Sequence, residues 1–180
     1  MSTVTTPQHE VTVPAGAFNA DPVHSSLGFE VRYMGIAFFK GAVKQFEASL
    51  VDGRLDGAAR IESLETKDEN LHVHLLSPEF FDAERHPEVR FEGALVPTGK
   101  GVEADGQITI KGVTKPALLR GSLTGPLSDP YGNTRYGLEL RTTIDRTEFG
   151  LAWNADMPDG TKALANEVTL KADLSLVAAA

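Results

Sequence analysis

Apolar and polar residues alternate along most of this chain with the two-residue period of half-buried strands. The alternation is clearest after the Asp21-Pro22 turn, where Leu27, Phe29, Val31 and Tyr33 share one face and Ser26, Glu30 and Arg32 the other. Ahead of it, residues 11–14 and 16–20 read as a short first strand broken by Pro14. Residues 41–51 alternate with Ala42, Phe46, Ala48 and Leu50 on the inner face, and the Asp52-Gly53 and Asp56-Gly57 pairs signal a hairpin into 58–64. Residues 89–96, 102–110, 117–123, 136–144 and 168–176 repeat the pattern. Between them lie a Gly-Lys-Gly turn at 99–101, a long turn over 111–116, a Pro- and Gly-rich loop over 125–135 and a second loop after Trp153.

One stretch breaks the period. Over residues 67–87, Leu71, Leu75, Leu76, Phe80 and Phe81 fit a short helix and a following loop, ended by Ser77-Pro78, so a helical insertion is expected near residues 68–78, covering one end or side of the sheet. Many short strands joined by close turns predict an all-β protein, an antiparallel meander closed into a barrel because closure removes exposed edges.

Length and composition narrow this picture. A chain of 180 residues suits one core, and 17 glycines with 10 prolines favour turns over long helices. Residues 1–10 are polar and aperiodic and read as a loose tail, leaving 11–180 as one domain. The net charge of −8, with basic residues scattered singly, argues against a nucleic-acid partner. Cysteine is absent, which excludes disulfides and thiolate chemistry. No run of 18 apolar residues suggests a membrane span, and the first ten residues have no basic start followed by an apolar stretch, so the expected location is cytoplasmic.

Candidate chemistry is sparse. His72 and His74 would face one metal from a strand, but on the expected helix they point about 200° apart, so they read as surface histidines and no metal is expected. Asp21, His24 and Ser25 invite comparison with a nucleophilic triad, yet they are too close along an extended segment to form the relay, and no Gly-x-Ser-x-Gly elbow exists; no catalytic residue is assigned. Their simpler role is to satisfy backbone groups where the chain turns into the barrel. Neither a dinucleotide fingerprint nor a phosphate loop occurs, and no cofactor is expected. What is left is the interior. Its inward set mixes Ala42, Ala48, Ala59, Gly93 and Ala172 with Phe29, Phe46, Phe91 and Leu140, which fits either a filled core or a hollow one.

Four stretches, in order and at compatible spacing, resemble the YceI-like family. They are Asp21-Pro-Val-His-Ser-Ser-Leu-Gly-Phe-Glu-Val-Arg-Tyr-Met-Gly, Leu75-Leu-Ser-Pro-Glu-Phe-Phe-Asp-Ala-Glu-Arg-His-Pro, Gly106-Gln-Ile-Thr-Ile-Lys-Gly-Val-Thr-Lys-Pro and Asp145-Arg-Thr-Glu-Phe-Gly-Leu-Ala-Trp-Asn. The resemblance implies an extended eight-stranded antiparallel lipocalin-like barrel, a tunnel for a polyisoprenoid, isoprenoid quinone or fatty-acid-like lipid, and a homodimer. Tyr33 stands where the family commonly has a second histidine. On this reading His24, Arg32, Tyr33 and Arg146 supply polar contacts at the mouth, while Phe29, Val31, Phe38, Phe46, Phe91, Leu140, Phe149 and Trp153 form the wall. Two rival readings stay open: an enzyme using His24 with Tyr33 or an acidic neighbour as acid and base on a lipid-like substrate in the same cavity, and a stress-response interaction module with a filled core that acts through its loops at 125–135 and 157–164.

Overall fold

The computed structural model describes residues 10–180; apart from Glu10, the tail expected at the N-terminus lies outside the described residues. The strands are β1 Ala17–Ala20, β2 Ser26–Tyr33, β3 Ala37–Val43, β4 Phe46–Val51, β5 Arg54–Arg60 and β6 Leu64–Glu65, followed after helix α1 (Glu69–Leu76) by β7 Glu88–Thr98, β8 Gly101–Ile110, β9 Val113–Ser128, β10 Thr134–Asp145 and β11 Leu164–Ala178. Short 3₁₀ turns occupy Ile61–Ser63 and Arg146–Phe149.

These segments make a closed antiparallel barrel of eight staves, because the first strands are broken in two and their halves lie end to end. Along β11, β2 pairs from Leu164↔Tyr33 to Asp173↔Ser26, and β1 takes over at Ala20↔Leu176. On the far side β3 pairs with β2 and β4 with β1, while β5 and β6 continue the ring against β4 and β3. The remaining strands follow in sequence order, β5-β7-β8-β9-β10-β11. Each break also shifts the side-chain parity. Phe18 points inward in β1 and the odd residues do so in β2; Phe39 and Val43 face in from β3, but Ala48 and Leu50 from β4. An added residue in one strand turns its successors to the opposite face, as a bulge does. Residues 41–51 therefore do not form one alternating strand, and Ala42, opposite Gly28, is not on the inner face with Ala48.

Two turns are tighter than the sequence suggests. Lys111 and Gly112, with φ of 49° and 75°, form a two-residue hairpin in place of a long turn, so Pro116 lies within β9. Strand β9 also runs on through Pro126 to Ser128, and the 125–135 loop shrinks to residues 129–133, where the Asp129 carboxylate accepts from the backbone N–H groups of Tyr131 and Asn133. Asp52-Gly53 makes the expected hairpin, φ 48° and 82°, whereas Asp56-Gly57 lies inside β5. Val11 and Val13 are not in a strand; they pack beside the core.

The interior is divided. Phe18, Leu50, Leu55, Leu95, Val102, Ala104, Leu138, Leu140, Leu174 and Leu176 fill one part of the barrel, with Tyr136 edge-on to Phe18 at 5.2 Å. A second cluster, Leu64, Leu75, Phe80, Ile108, Ile110, Phe149 and Leu151, gathers helix α1 and the 146–151 segment against the strands. Helix α1 starts at Asp68, whose Oδ1 accepts from Leu71 N at 2.8 Å, and stops at Ser77, whose hydroxyl donates to the His74 carbonyl at 2.6 Å just before Pro78.

Glycines allow the tight curvature of the wall. A Cβ built on Gly106 would sit 2.0 Å from Glu92 O, and one on Gly121 would sit 1.6 Å from Glu139 O, both backbone atoms of the neighbouring strand. Glycine inside a strand marks such a close approach. Gly106→Ala should therefore lower stability by about 3 kcal/mol, the upper range for a single substitution that strains backbone. Chemical denaturation checks this; a change within 0.5 kcal/mol, roughly the scatter of neutral surface substitutions, would contradict it.

Candidate ligand-binding site

The barrel is hollow. A cavity of about 600 Å³ lies between the two clusters, within the size range of small-molecule sites. Its wall is almost wholly apolar, contributed by strands β2 to β11, with Leu64 from β6, by α1 with Phe80 and Phe81, and by the segment from Leu151 to Ala155. Where Tyr33 and Trp153 stand, 44% and 39% exposed, that wall meets solvent.

The residues singled out from sequence divide by position. Phe29, Val31, Tyr33, Phe91, Leu140, Arg146 and Trp153 line the cavity. His24, Arg32, Phe38, Phe46 and Phe149 do not. Arg32 and Phe38 are opposite one another on the outer faces of β2 and β3, the guanidinium 4.1 Å from the ring centroid, and the inward neighbour Phe39 takes the place expected for Phe38, 5.7 Å from Phe29. Phe46 packs against the first core cluster, and Phe149 is buried within the second.

His24 is a surface residue of the turn before β2, its side chain 68% exposed. Its Nδ1 lies 2.7 Å from Asp21 Oδ2, and Asp21 is held in turn by Arg135 Nη1 at 2.9 Å and by Val23 N at 2.9 Å. Ser25 is committed too, its hydroxyl oxygen accepting from Ser175 N at 2.9 Å. Arg135 also reaches Asp129 Oδ2 at 2.7 Å. This cluster locks the break between β1 and β2 onto the turn between β9 and β10, as a structural role for these residues requires.

Arg146 is the one charged residue fully buried among the described residues, 2% exposed. No carboxylate pairs with it. Instead Nε donates to Ala165 O at 2.8 Å, Nη1 to Trp153 O at 2.9 Å and to Leu151 O, and Nη2 to Leu164 O at 3.4 Å. Burial pushes its pKa down from the ordinary arginine value, partly offset by the charge of neighbouring Asp145. The carbonyl cradle fixes the 146–153 segment to the start of β11, helped by Asn154, whose Oδ1 accepts from Leu164 N at 2.8 Å and whose Nδ2 donates to Leu164 O at 2.6 Å.

Sequence reasoning missed His74. It lines the cavity from α1, with its ring 4.6 Å from Trp153 and 6.0 Å from Phe80. The signal was available: at i+3 from Leu71 and beside Leu75, His74 falls on the apolar face of the helix. The helix also keeps His72 from sharing an ion with it, and among the described residues no group of three His, Asp or Glu side chains is placed to hold a metal. No helix among them is long and apolar enough to cross a membrane.

The family model of the YceI-like domain matches residues 18–176. The chain belongs to the YceI-like family. Among its relatives, a UPF0312 protein of Photorhabdus laumondii is 30% identical over 134 residues, 70% of each chain, and one of Vibrio parahaemolyticus is 28% identical over 156 residues, 78% of this chain and 82% of the other. Solved structures share the fold of this YceI-like barrel. The YCEI protein of Campylobacter jejuni covers all of both chains with a TM-score of 0.68 at 20% identity. BcnA of Burkholderia cenocepacia has a TM-score of 0.69 at 19% identity, over 89% of this chain and 99% of its own. A polyisoprenoid binding domain of Saccharophagus degradans has a TM-score of 0.66 at 10% identity, over 92% of this chain and all of its own.

The locking cluster generates a pH prediction for this YceI-like chain. Hydrogen bonds from His24 and then Arg135 hold Asp21 well below its ordinary value of 3.8, and Arg135 foremost does the same for Asp129. Carboxylates with depressed folded values stabilise fully at neutral pH, and that contribution is lost as pH falls below about 4. Arg135→Met should lower the denaturation midpoint at pH 7 and narrow the difference between pH 7 and pH 3. An unchanged difference would show that the cluster is not coupled to folding.

Proposed function

We propose that this protein binds one long-chain apolar molecule, of the polyisoprenoid, isoprenoid quinone or fatty-acid-like class, inside its barrel, and stores or carries it without chemical change. The observation that carries this reading is the hollow, apolar interior of about 600 Å³. A folded domain of this size packs its core to crystal-like density, so an apolar space within the barrel that its own side chains leave unfilled suits another apolar molecule. Membership of the YceI-like family supports the reading, as does the likeness of fold to a polyisoprenoid binding domain.

The energetics are adequate without any charged contact. Each buried methylene contributes about 0.8 kcal/mol, so roughly ten sequestered carbons supply about 8 kcal/mol against the entropy lost on association. Affinity comes from the tail and grows with chain length until the cavity is full. The carrier reading is also supported by the position of His24, on which the enzyme alternative depends: both His24 and its acidic neighbour Asp21 stand outside the cavity that Tyr33 lines, so neither pairing faces a substrate held there.

Native mass spectrometry of protein purified without added lipid should reveal an apolar molecule in the folded chain, released by organic extraction. Ala172 lines the cavity between Leu27 and Leu140, and Ala172→Phe places a ring in that space. Displacing two methylenes at about 0.8 kcal/mol each should weaken binding about tenfold, with the melting temperature largely retained. A folded protein that yields no apolar molecule and takes up no added long-chain compound would refute the proposal.

A further inference from the structure

We infer that the tip of the β2–β3 hairpin, with Trp153 beside it, docks the protein on a lipid bilayer, so that the apolar ligand passes between membrane and barrel without crossing water. The inference rests on the cavity being a lipid site and names the partner at its mouth.

The chain turns from β2 into β3 at Met34 and Gly35, with φ of 54° and 70°, and Ile36 N donates back to Tyr33 O at 3.2 Å. Two left-handed residues in a hairpin turn ordinarily call for Asn, Asp or Gly. Here the turn carries Met and Ile instead. Tyr33, Met34, Ile36 and Phe38 put four exposed large apolar side chains into six residues, and Ile36 is 82% exposed. A Cβ built on Gly35 meets no atom within 4 Å, so open space lies beside the turn.

This apolar tip adjoins the opening of the cavity. Tyr33 pairs with Leu164, and Met34 N donates to Ala163 O at 2.6 Å. Asn154 is bonded to the same Leu164 through both atoms of its amide, which brings Trp153 next to the hairpin's anchor. Tyr33 and Trp153 both line the cavity and both are exposed.

Exposed apolar patches mark protein or membrane partners, and the surroundings of this one favour the bilayer. Tyrosine and tryptophan are enriched at membrane interfaces, where one end of the side chain is apolar and the other wet. The cations fit as well: residues 31–46 contain Arg32, Lys40 and Lys44 and no Asp or Glu, in a chain of net charge −8. Lys40 and Lys44 reach Glu30 at 3.5 Å and Glu65 at 3.0 Å, whereas the Arg32 guanidinium lies over Phe38 with no carboxylate partner among the described residues. Such a cation above an apolar contact suits phosphate head groups. The acids of the adjoining loop are engaged, Asp156 with Lys162 and Asp159 with Thr161. The ligand also calls for a bilayer, because each methylene that crosses water costs a factor of roughly four in exchange rate. A membrane against the opening removes that crossing, whereas a second copy seated there would cover the opening.

Flotation with vesicles of phosphatidylcholine and phosphatidylglycerol tests the docking. Two fluorescent chains, cis-parinaric acid of fatty-acid type and retinol of isoprenoid type, test the cavity separately. The intact wild-type chain should float with the vesicles. Ile36→Glu should weaken that binding at least about tenfold, the value of one isoleucine side chain left in water. Ile36 does not line the cavity, so the variant should bind both chains as the wild type does when they are added without vesicles, yet take them up from vesicles about tenfold more slowly. Tyr131→Glu, at an apolar side chain 88% exposed in the β9–β10 turn by the other end of β2, should float like the wild type. Wild type that stays off the vesicles, Ile36→Glu that floats as well as wild type, or an equal loss in Tyr131→Glu would overturn the inference and leave the cavity reading standing. So would a dimer that Ile36→Glu dissociates while nothing floats, which would give the patch to a second copy. Folded wild type that binds neither chain would overturn the cavity reading and this inference with it.

Discussion

The pairing of β1 with β11 on one side and β4 on the other is the constraint on which the rest of the structure depends. Phe18↔Ala178 and Phe18↔Leu50 place one short strand between the two ends of the sheet. Without it, β4 and β11 would present unpaired backbone donors and acceptors, the usual route to association between edges. With it the eight staves form a ring, and an eight-stranded ring is just wide enough either to be filled by its own side chains or to hold one ligand. Closure thus supplies the ring within which a cavity can form, and the strands that close it, β1 and β11, come from far apart in the sequence.

Closure alone would leave an evenly filled tube. What makes one part solid and another hollow is the choice of inward residues together with the cover laid over the hollow part. Leucines and Phe18 fill the part where β1 and β4 join, while small residues such as Ala48, Ala59 and Ala172 face the cavity among rings. Helix α1 contributes Leu71, His74 and Leu75 to the wall, and the 146–155 segment contributes Arg146, Leu151 and Trp153. Arg146 holds that segment by donating to its carbonyls, so a buried cation acts as a staple for backbone that would otherwise have unpaired acceptors. Its charge is satisfied by dipoles already in the protein, which leaves an apolar interior with few polar groups to direct a ligand.

The two ends of strand β2 have different work. At Ser26 the chain is fastened by Asp21, Ser25, Arg135 and Asp129 in a network of hydrogen bonds whose members lie outside the cavity lining. At Tyr33 the same strand reaches the place where the cavity wall meets solvent. The polar dipeptide His24-Ser25 that looks chemical in sequence therefore serves the fold, and the polar residues that line the cavity lie elsewhere.

Much of the architecture was legible because strands announce themselves locally. The period of two in residues 27–33 and 136–144 set which side chains face inward, and the change of period near residue 70 marked α1, since both depend only on near neighbours. The inward positions of Phe29, Val31, Phe91 and Leu140 follow from that alternation. Where the alternation slips, the reading failed: Ala42 was assigned to the inside with Ala48 because the break at 44–45 shifts parity, and such a shift is decided by pairing across strands rather than by either strand alone, while pairing with Arg32 puts Phe38 outside and its neighbour Phe39 inside. His74, and not His24, lines the cavity for a related reason. Sequence determined that the chain would alternate, turn often and carry one short helix; only the tertiary structure decided which polar residues meet the cavity, because that depends on where distant segments come to rest when the ring closes.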